Sequence, residues 1–437
     1  MSSRDRAWYE DPAIKNLYIK ASSNAMRSYH APIITPKTTF IGTNSMIDLI
    51  NYLGAYLTPE EQRVLIIVDR DLRKFGTKVS DMLMNLRGIE SKIFDEVLPE
   101  APRSSVMKGV GICEEYDPKV IIALGGGSAM DTAKMVMLLY EKPTLNLNSV
   151  MAPTYAGLRK KVFLLIAIPT TSGTGSEATY TAVLSDTDRV PTKKTSVPLY
   201  ELCPDLVVLH TDFVETMPPY LTMGTGMDAL AHSMGAYVMT ASNEYTDIHN
   251  LKAIELILKY LPRAVKRGND IEARKKMQLA AYIAGIGFIN TAGAGIEHSL
   301  GHSFGGIFHV HHGVSVGIFT PASIAYQSKV TERFKGLAEI FNIKRKGKER
   351  DQILKELLEK VTIFMRDVQC PASIKELNKP KVSYEDYMSN MEQMVEYAFN
   401  DFPTLSSSRK LDPPQIRKIY EVAYENKIEN LMELFYM

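Results

Sequence analysis

Lys119-Val-Ile-Ile-Ala-Leu-Gly-Gly-Gly-Ser128 decides how the rest of the chain is read. After its first residue the run to Leu124 is wholly apolar, as a strand buried on both faces must be. Glycines and a serine then break the run, and helical spacing resumes near Ala129. Arg63-Val-Leu-Ile-Ile-Val-Asp69 has the same character and ends in an acid, while Phe163-Leu-Leu-Ile-Ala-Ile168 stops at Pro169. Strands of this kind alternating with helical patterns predict a parallel sheet covered on both faces. Beyond about residue 215 the pattern changes. Leu251, Ile254, Leu256, Ile257 and Leu261 recur at helical spacing, and 351–364 and 384–399 read as amphipathic helices. The expectation is an α/β domain over 1–215 and an all-α domain over 216–437, joined near Met217-Pro218-Pro219, where proline interrupts helices. Residues 1–35 read as an N-terminal extension to which no role is assigned.

The 437 residues include 51 basic and 50 acidic side chains, a net charge of +1 that argues against a nucleic-acid partner. Charges fall within the first ten residues, and no apolar run approaches the ~20 residues of a membrane helix. Cys113, Cys203 and Cys370 are scattered, without zinc-ribbon or redox spacing, which suits a reducing cytoplasm and inert thiols.

Gly125-Gly126-Gly127-Ser128 lies between a buried strand and a helix. Glycine lets backbone approach a ligand there, and free N–H groups at the helix start favour an anion. Ser128 is placed to cap the helix and to donate to a phosphate oxygen. A plain tight turn would use the same residues, so the neighbours matter. Asp69 ends another strand, where a carboxylate binds a ribose diol and rejects a 2′-phosphate. Arg70 and Arg73 stand close enough to soften that rejection. Pro169-Thr-Thr-Ser-Gly-Thr-Gly-Ser-Glu-Ala-Thr179 follows the third strand, and its hydroxyls suit a loop around a polar ligand.

The helical half carries a second chemistry. Asp228 and His232 stand four apart, on one helix face, and His298 and His302 repeat the spacing. Phe308-His-Val-His-His-Gly313 follows. Six of the nine histidines fall in these segments; His30, His210 and His249 do not. Single histidines are usually surface or core residues, but a cluster in apolar, glycine-rich surroundings points to a metal. Imidazoles with a carboxylate suit a divalent transition metal rather than Mg²⁺ or Ca²⁺. Spacing accepts Zn²⁺ as readily as Fe²⁺ and does not choose among the histidines.

Together these segments resemble the iron-containing alcohol dehydrogenase family. The matching pieces are GGGSAMDTAK from Gly125, PTTSGTGSEAT from Pro169, MPPYLTMGTGMDALAH from Met217 and EHSLGHSFGGIFHVHHG from Glu297, in order over roughly residues 36–425. The resemblance implies the dehydroquinate synthase-like, iron-dependent alcohol dehydrogenase fold: a Rossmann-like dinucleotide-binding α/β domain followed by an α-helical metal-binding domain. It implies Asp228, His232, His298 and His312 as metal ligands, and His302 as an additional catalytic histidine. On the cofactor side it implies Gly126, Gly127 and Ser128 at the pyrophosphate, and Thr170, Thr171, Thr174 and Thr179 in a hydroxyl-rich loop. Lys194 falls near the nicotinamide ribose, and Asp69 is the acid associated with NAD. The chain departs from the family at Gly235, where a glutamate is usual, and at His210-Thr211, where Asp-Pro is usual. It departs again at Ser303 and His311, where proline is common.

The expected activity is metal-dependent hydride transfer between a small alcohol or aldehyde and NAD, with NADP disfavoured and Fe²⁺ as the implied metal, Zn²⁺ being the alternative. A homodimer or larger homo-oligomer is implied, with no membrane partner. A dehydroquinate-synthase-type lyase using NAD transiently would need several basic side chains around a polyanionic substrate. The segments from Asp228 to His312 offer methionine, glycine, alanine and phenylalanine instead. A hydroxyacid-oxoacid transhydrogenase-like member and a non-catalytic NAD-binding regulator complete the alternatives; the regulator leaves the four-ligand set unexplained.

Overall fold

The computed structural model describes residues 32–147, 150, 153–186, 193–291, 293–405 and 407–437. Most of the N-terminal extension lies outside these, so its reading carries no structural account. Contacts divide the described chain into two compact units, Ile33–Met217 and Pro218–Met437.

The first unit is built on a parallel six-stranded sheet. Its strands are β1 (Thr38–Ile41), β2 (Arg63–Asp69), β3 (Glu90–Val97), β4 (Val120–Gly125), β5 (Leu164–Pro169) and, after a two-stranded antiparallel hairpin of β6 (Thr181–Asp186) and β7 (Lys193–Pro198), β8 (Leu206–Leu209). The spatial order is β1-β8-β5-β4-β2-β3. Every residue of β4 is buried, as its unbroken apolar sequence requires. One sheet face, with Val64, Ile66, Val68, Ile122 and Leu124, packs under Leu49 and Leu53 of α1 (Ser45–Tyr56) and Phe75 and Val79 of α2 (Arg73–Arg87). Helices α3 (Arg103–Tyr116) and α4 (Gly127–Glu141) complete the set that packs with these strands.

From β2 the chain runs outward to β3, then returns to lay β4 on the other side of β2. That reversal is a topological switch point, where open α/β sheets bind ligands beyond the carboxyl ends of their strands. Val68 pairs with Leu124, and Gly125 with Pro169, so Asp69, the glycine run and the threonine loop leave three adjacent strands at one edge.

The second unit is all-helical among the described residues apart from one isolated bridge. At its centre α5 (Pro219–Val238) is buried at every position from Thr222 to Val238. Around it pack α6 (Glu244–Lys266), α7 (Ile271–Ile289), α8 (Ile296–Phe308) and α9 (His312–Gln327). The amphipathic run expected over 384–399 forms two helices, Tyr384–Ser389 and Met391–Asn400. They are separated at Asn390, whose side-chain amide donates to the Asp386 carbonyl at 2.9 Å. No helix among the described residues is long and apolar enough to cross a membrane.

Candidate cofactor loops and metal centre

In the first unit, helix α4 begins at Gly127 with Gly126 as its N-cap, two residues earlier than the expected start. Ser128 therefore sits inside the first turn and does not cap. Its Oγ instead accepts from the Glu100 amide at 3.1 Å, which leaves its proton to donate elsewhere. Gly125 is required by crowding: a Cβ there would stand 2.6 Å from Asp69 Oδ2 and 2.5 Å from the Ala129 Cβ. Asp69 thus lies against the glycine run. Burial raises its carboxyl from 3.8 to about 6, while the amides of Asp69 and Gly126 pull the other way. The threonine loop closes on the same glycines. A Cβ at Gly126 would meet Thr171 at 3.3 Å, one at Gly127 would meet Thr174 at 3.1 Å, and the Thr170 amide donates to the Gly125 carbonyl at 3.0 Å.

Thr179 has a different setting. Its hydroxyl is buried and accepts from Lys134 Nζ at 3.2 Å. That ammonium, 1% exposed, also reaches the carbonyls of Ser176, Thr179 and Thr181 and the Ser176 hydroxyl, all within 3.0 Å. Asp131, one turn earlier on α4, accepts from Ser176 Oγ and the Val183 amide. Lys134 and Asp131 anchor the threonine loop from beneath, a role that nothing but their i, i+3 spacing on a helix with buried neighbours signals in the sequence. Beyond β2 a cavity of about 290 Å³ is lined by Arg70, Leu98, Ser104 and Lys108 among others. Arg73 does not line it, being paired with Asp95. The Lys194 backbone pairs with Ser185 in the hairpin, but its side chain lies outside the described residues.

In the second unit three elements converge. Asp228 and His232 lie four apart on α5, His298 and His302 four apart on α8, and His312 opens α9. Close approach of α9 to α5 depends on Gly313, where a Cβ would fall 2.0 Å from the Gly224 carbonyl oxygen. Donor atoms of Asp228, His298 and His312 all lie within 4.8 Å of one another. Asp228 Oδ1 is 3.5 Å from His298 Nε2 and 3.3 Å from His312 Nε2. His232 stands at the margin: its Nδ1 is 3.8 Å from Asp228 Oδ1, and its ring stacks between Phe288 and His298 at 4.1 and 4.3 Å.

Three atoms of this group, Asp228 Oδ1, His232 Nδ1 and His298 Nε2, are buried without a hydrogen-bond partner among the described residues. Leaving a buried polar atom unmade costs about 1–3 kcal/mol, and a divalent cation shared by Asp228, His298 and His312 would satisfy the first and last of these, while His232 stands outside that mutually close set. The donor set therefore fits a transition metal. Electrostatics agree at Asp228 and His232. Burial alone would raise Asp228, but the surrounding imidazoles overcome it and hold the carboxyl well below 3.8. Burial drops His232 to about 3, so its ring is neutral, as a ligand must be. His298 differs: the carboxylates of Asp228 and Glu297 outweigh burial and lift it to about 9, so a metal binding there must displace a proton.

Two further residues serve the imidazoles. Glu297, fully buried, brings Oε1 to 3.2 Å from His298 Nδ1. Asp401, following the Met391–Asn400 helix, accepts from His302 Nδ1 at 2.6 Å. His302 lies beside the cluster, its ring stacked on His312 at 5.1 Å. No sequence signal joins Asp401 to a histidine 99 positions away.

A family model described as iron-containing alcohol dehydrogenase matches residues 36–211, and one described as Fe-containing alcohol dehydrogenase family, C-terminal, matches 222–424. The chain belongs to the iron-containing alcohol dehydrogenase family. Within that family it is 33% identical to an NADPH-dependent butanol dehydrogenase of Clostridium saccharobutylicum, covering 89% of this chain and 97% of the relative. An NAD-dependent methanol dehydrogenase of Bacillus methanolicus is 31% identical, over 83% and 92% of the two chains. Among solved structures, an alcohol dehydrogenase from Oenococcus oeni aligns with a TM-score of 0.82 at 27% identity, covering 90% of this chain and 100% of that one. Family membership makes the chain an enzyme of alcohol–aldehyde oxidoreduction, on the two-part α/β and helical fold that its motifs imply.

Proposed function

We propose that the enzyme interconverts a small alcohol and its aldehyde with NAD in preference to NADP. Its metal is a divalent ion, iron before zinc, held by Asp228, His232, His298 and His312. The observation that carries this reading is the group of buried, unpartnered donor atoms on α5 and α8. When bound, the cation supplies Lewis acidity that lowers the pKa of an alcohol hydroxyl, and the nicotinamide supplies the hydride acceptor. The protein does the positioning. The Pro218–Met437 unit holds the metal and the Ile33–Met217 unit binds the dinucleotide. Gly126, Gly127 and the start of α4 aim backbone N–H groups at the pyrophosphate, and Ser128 adds a hydroxyl. Thr170, Thr171, Thr174 and Thr179 shape the adjoining wall, and Lys194 is assigned to the nicotinamide ribose. Asp401 accepts the Nδ1 proton of His302, which leaves Nε2 as a base for the proton that the alcohol gives up. We further read the enzyme as cytoplasmic and as a homodimer or larger assembly.

Asp69 carries the cofactor preference, by accepting the adenosine ribose hydroxyls and repelling a 2′-phosphate. A carboxyl raised to about 6 stabilises the unliganded fold fully below its ordinary value of 3.8, and that contribution is lost as pH rises through 6. The charged form that discriminates is therefore held above pH 6 only. The ratio of kcat/KM for NAD to that for NADP should fall as pH drops through 6, and Asp69→Asn should flatten the profile. That variant should also narrow the preference by roughly tenfold, about 1.4 kcal/mol. An unchanged ratio in the variant would remove Asp69 from this role.

The whole reading is tested by metal analysis of the purified enzyme, coupled to NADH production on a panel of alcohols, diols and hydroxy acids. Expected are about one ion per chain and turnover of small alcohols that chelation abolishes. Full turnover by metal-free enzyme would end the reading.

A further inference from the structure

Glu297 lies on the first turn of α8 and is 0% exposed, a setting a carboxylate tolerates only with partners. Its Oε1 is 3.2 Å from His298 Nδ1, and its Oε2 accepts from Ser323 Oγ of α9 at 2.7 Å. The chain of contacts continues along α9. Ser323 Oγ accepts from Gln327 Nε2 at 3.1 Å, and Gln327 Oε1 accepts from Ser408 Oγ at 3.0 Å. Space for this carboxylate comes from two glycines. A Cβ at Gly235, one turn beyond His232 on α5, would fall 2.2 Å from Glu297 Oε1; a Cβ at Gly295 would fall 2.5 Å from both carboxylate oxygens. The Glu297 carboxylate and any side chain at 235 therefore compete for one volume.

We propose that Glu297, seated in the slot left by Gly235, is a positioning residue that sets the tautomer and the aim of His298 toward the metal. With a metal bound, the carboxylate would accept the Nδ1 proton and leave the Nε2 lone pair for the cation; Nε2 already lies 3.5 Å from Asp228 Oδ1. A carboxylate behind a metal-bound imidazole also raises the basicity of the ligand nitrogen. Because Ser323 and Gln327 belong to the helix that opens with His312, the same carboxylate ties α8 to α9 and fixes two histidines relative to each other. The inference rests on the assignment of His298 as a ligand.

Its test compares wild type, Glu297→Gln, Glu297→Ala, Gly235→Ala and the double variant Gly235→Ala/Glu297→Ala. Zn²⁺ affinity is measured by chelator competition, and visible absorption is recorded on the Co²⁺-loaded proteins. Glu297→Ala should weaken Zn²⁺ roughly 10- to 100-fold and shift the Co²⁺ bands. Glu297→Gln, which still accepts the Nδ1 proton, should lose less. Gly235→Ala should reproduce the Glu297→Ala defect by displacing the carboxylate, and the double variant should be no worse than Glu297→Ala alone. Wild-type affinity and unshifted bands in both Glu297 variants would overturn the inference while leaving the metal reading intact, as would fully additive losses in the double variant. Failure of the wild type itself to bind Zn²⁺ or Co²⁺ would overturn both.

Discussion

Asp228→Asn is expected to strip the enzyme of its metal and to lower kcat/KM by at least roughly a thousandfold. Loss of Lewis-acid stabilisation worth several kcal/mol translates, at about 1.4 kcal/mol per tenfold, into that range. The residue is singled out because its Oδ1 is the atom common to the whole cluster, 3.3 to 3.8 Å from nitrogens of His312, His298 and His232. Asparagine keeps the shape and removes the charge, so the effect reports electrostatics rather than packing. Thermal unfolding with and without metal gives a second readout. An ion that binds only the folded state stabilises it by ~2.7 kcal/mol at a hundred times its Kd. The wild-type Tm should therefore rise on metal addition and the variant's should not. A variant that retains the ion and turns over normally would show that the cluster is not the metal centre.

Lys134→Met should be the most destabilising single change in the sheet-containing unit, by about 3–5 kcal/mol, the cost of removing one partner from a buried ionic network. Methionine occupies similar space but cannot donate to the carbonyls of Ser176, Thr179 and Thr181 that the ammonium now serves. Asp131, whose carboxyl burial raises against the pull of Lys134, would lose its cation. The denaturation midpoint should fall with little change in slope. Affinity for NAD should weaken at least about tenfold because the threonine loop loses its floor, while metal content per chain should stay at the wild-type level. Wild-type stability and NAD affinity in the variant would show that the loop is held by other means.

Much of this could be read from the chain because its signals are local. The run from Val120 to Leu124 is apolar throughout because β4 is buried on both sides, and continuous burial leaves a continuous signature. Asp228 with His232, and His298 with His302, announced themselves because helical periodicity puts residues four apart on one face. What escaped was either non-local or set by backbone detail. Ser128 looked like a cap because serine commonly is one, yet extended Gly126 takes that place and the helix starts earlier. Lys134 would pass for a surface charge on any helix; only the loop folding over it shows five acceptors around one ammonium. The β6–β7 hairpin went unread because its strands, TAVLSD and KKTSVP, lack the apolar run that marked the others. Glu297 opens the EHSLGH segment, but nothing in its spacing distinguishes a buried carboxylate from a solvated one.

The crowding at Gly235 also constrains history. A side chain at 235 and the Glu297 carboxylate in its present seat exclude each other, since a Cβ there would fall 2.2 Å from Oε1, so in an ancestor with the glutamate usual in the family at 235 a residue Glu297 would have had to point elsewhere. Only a residue without a side chain at 235 leaves Glu297 its present place beside His298. Restoring the family's residue at 235 alone, as a consensus-guided redesign would suggest, should accordingly harm this enzyme rather than improve it.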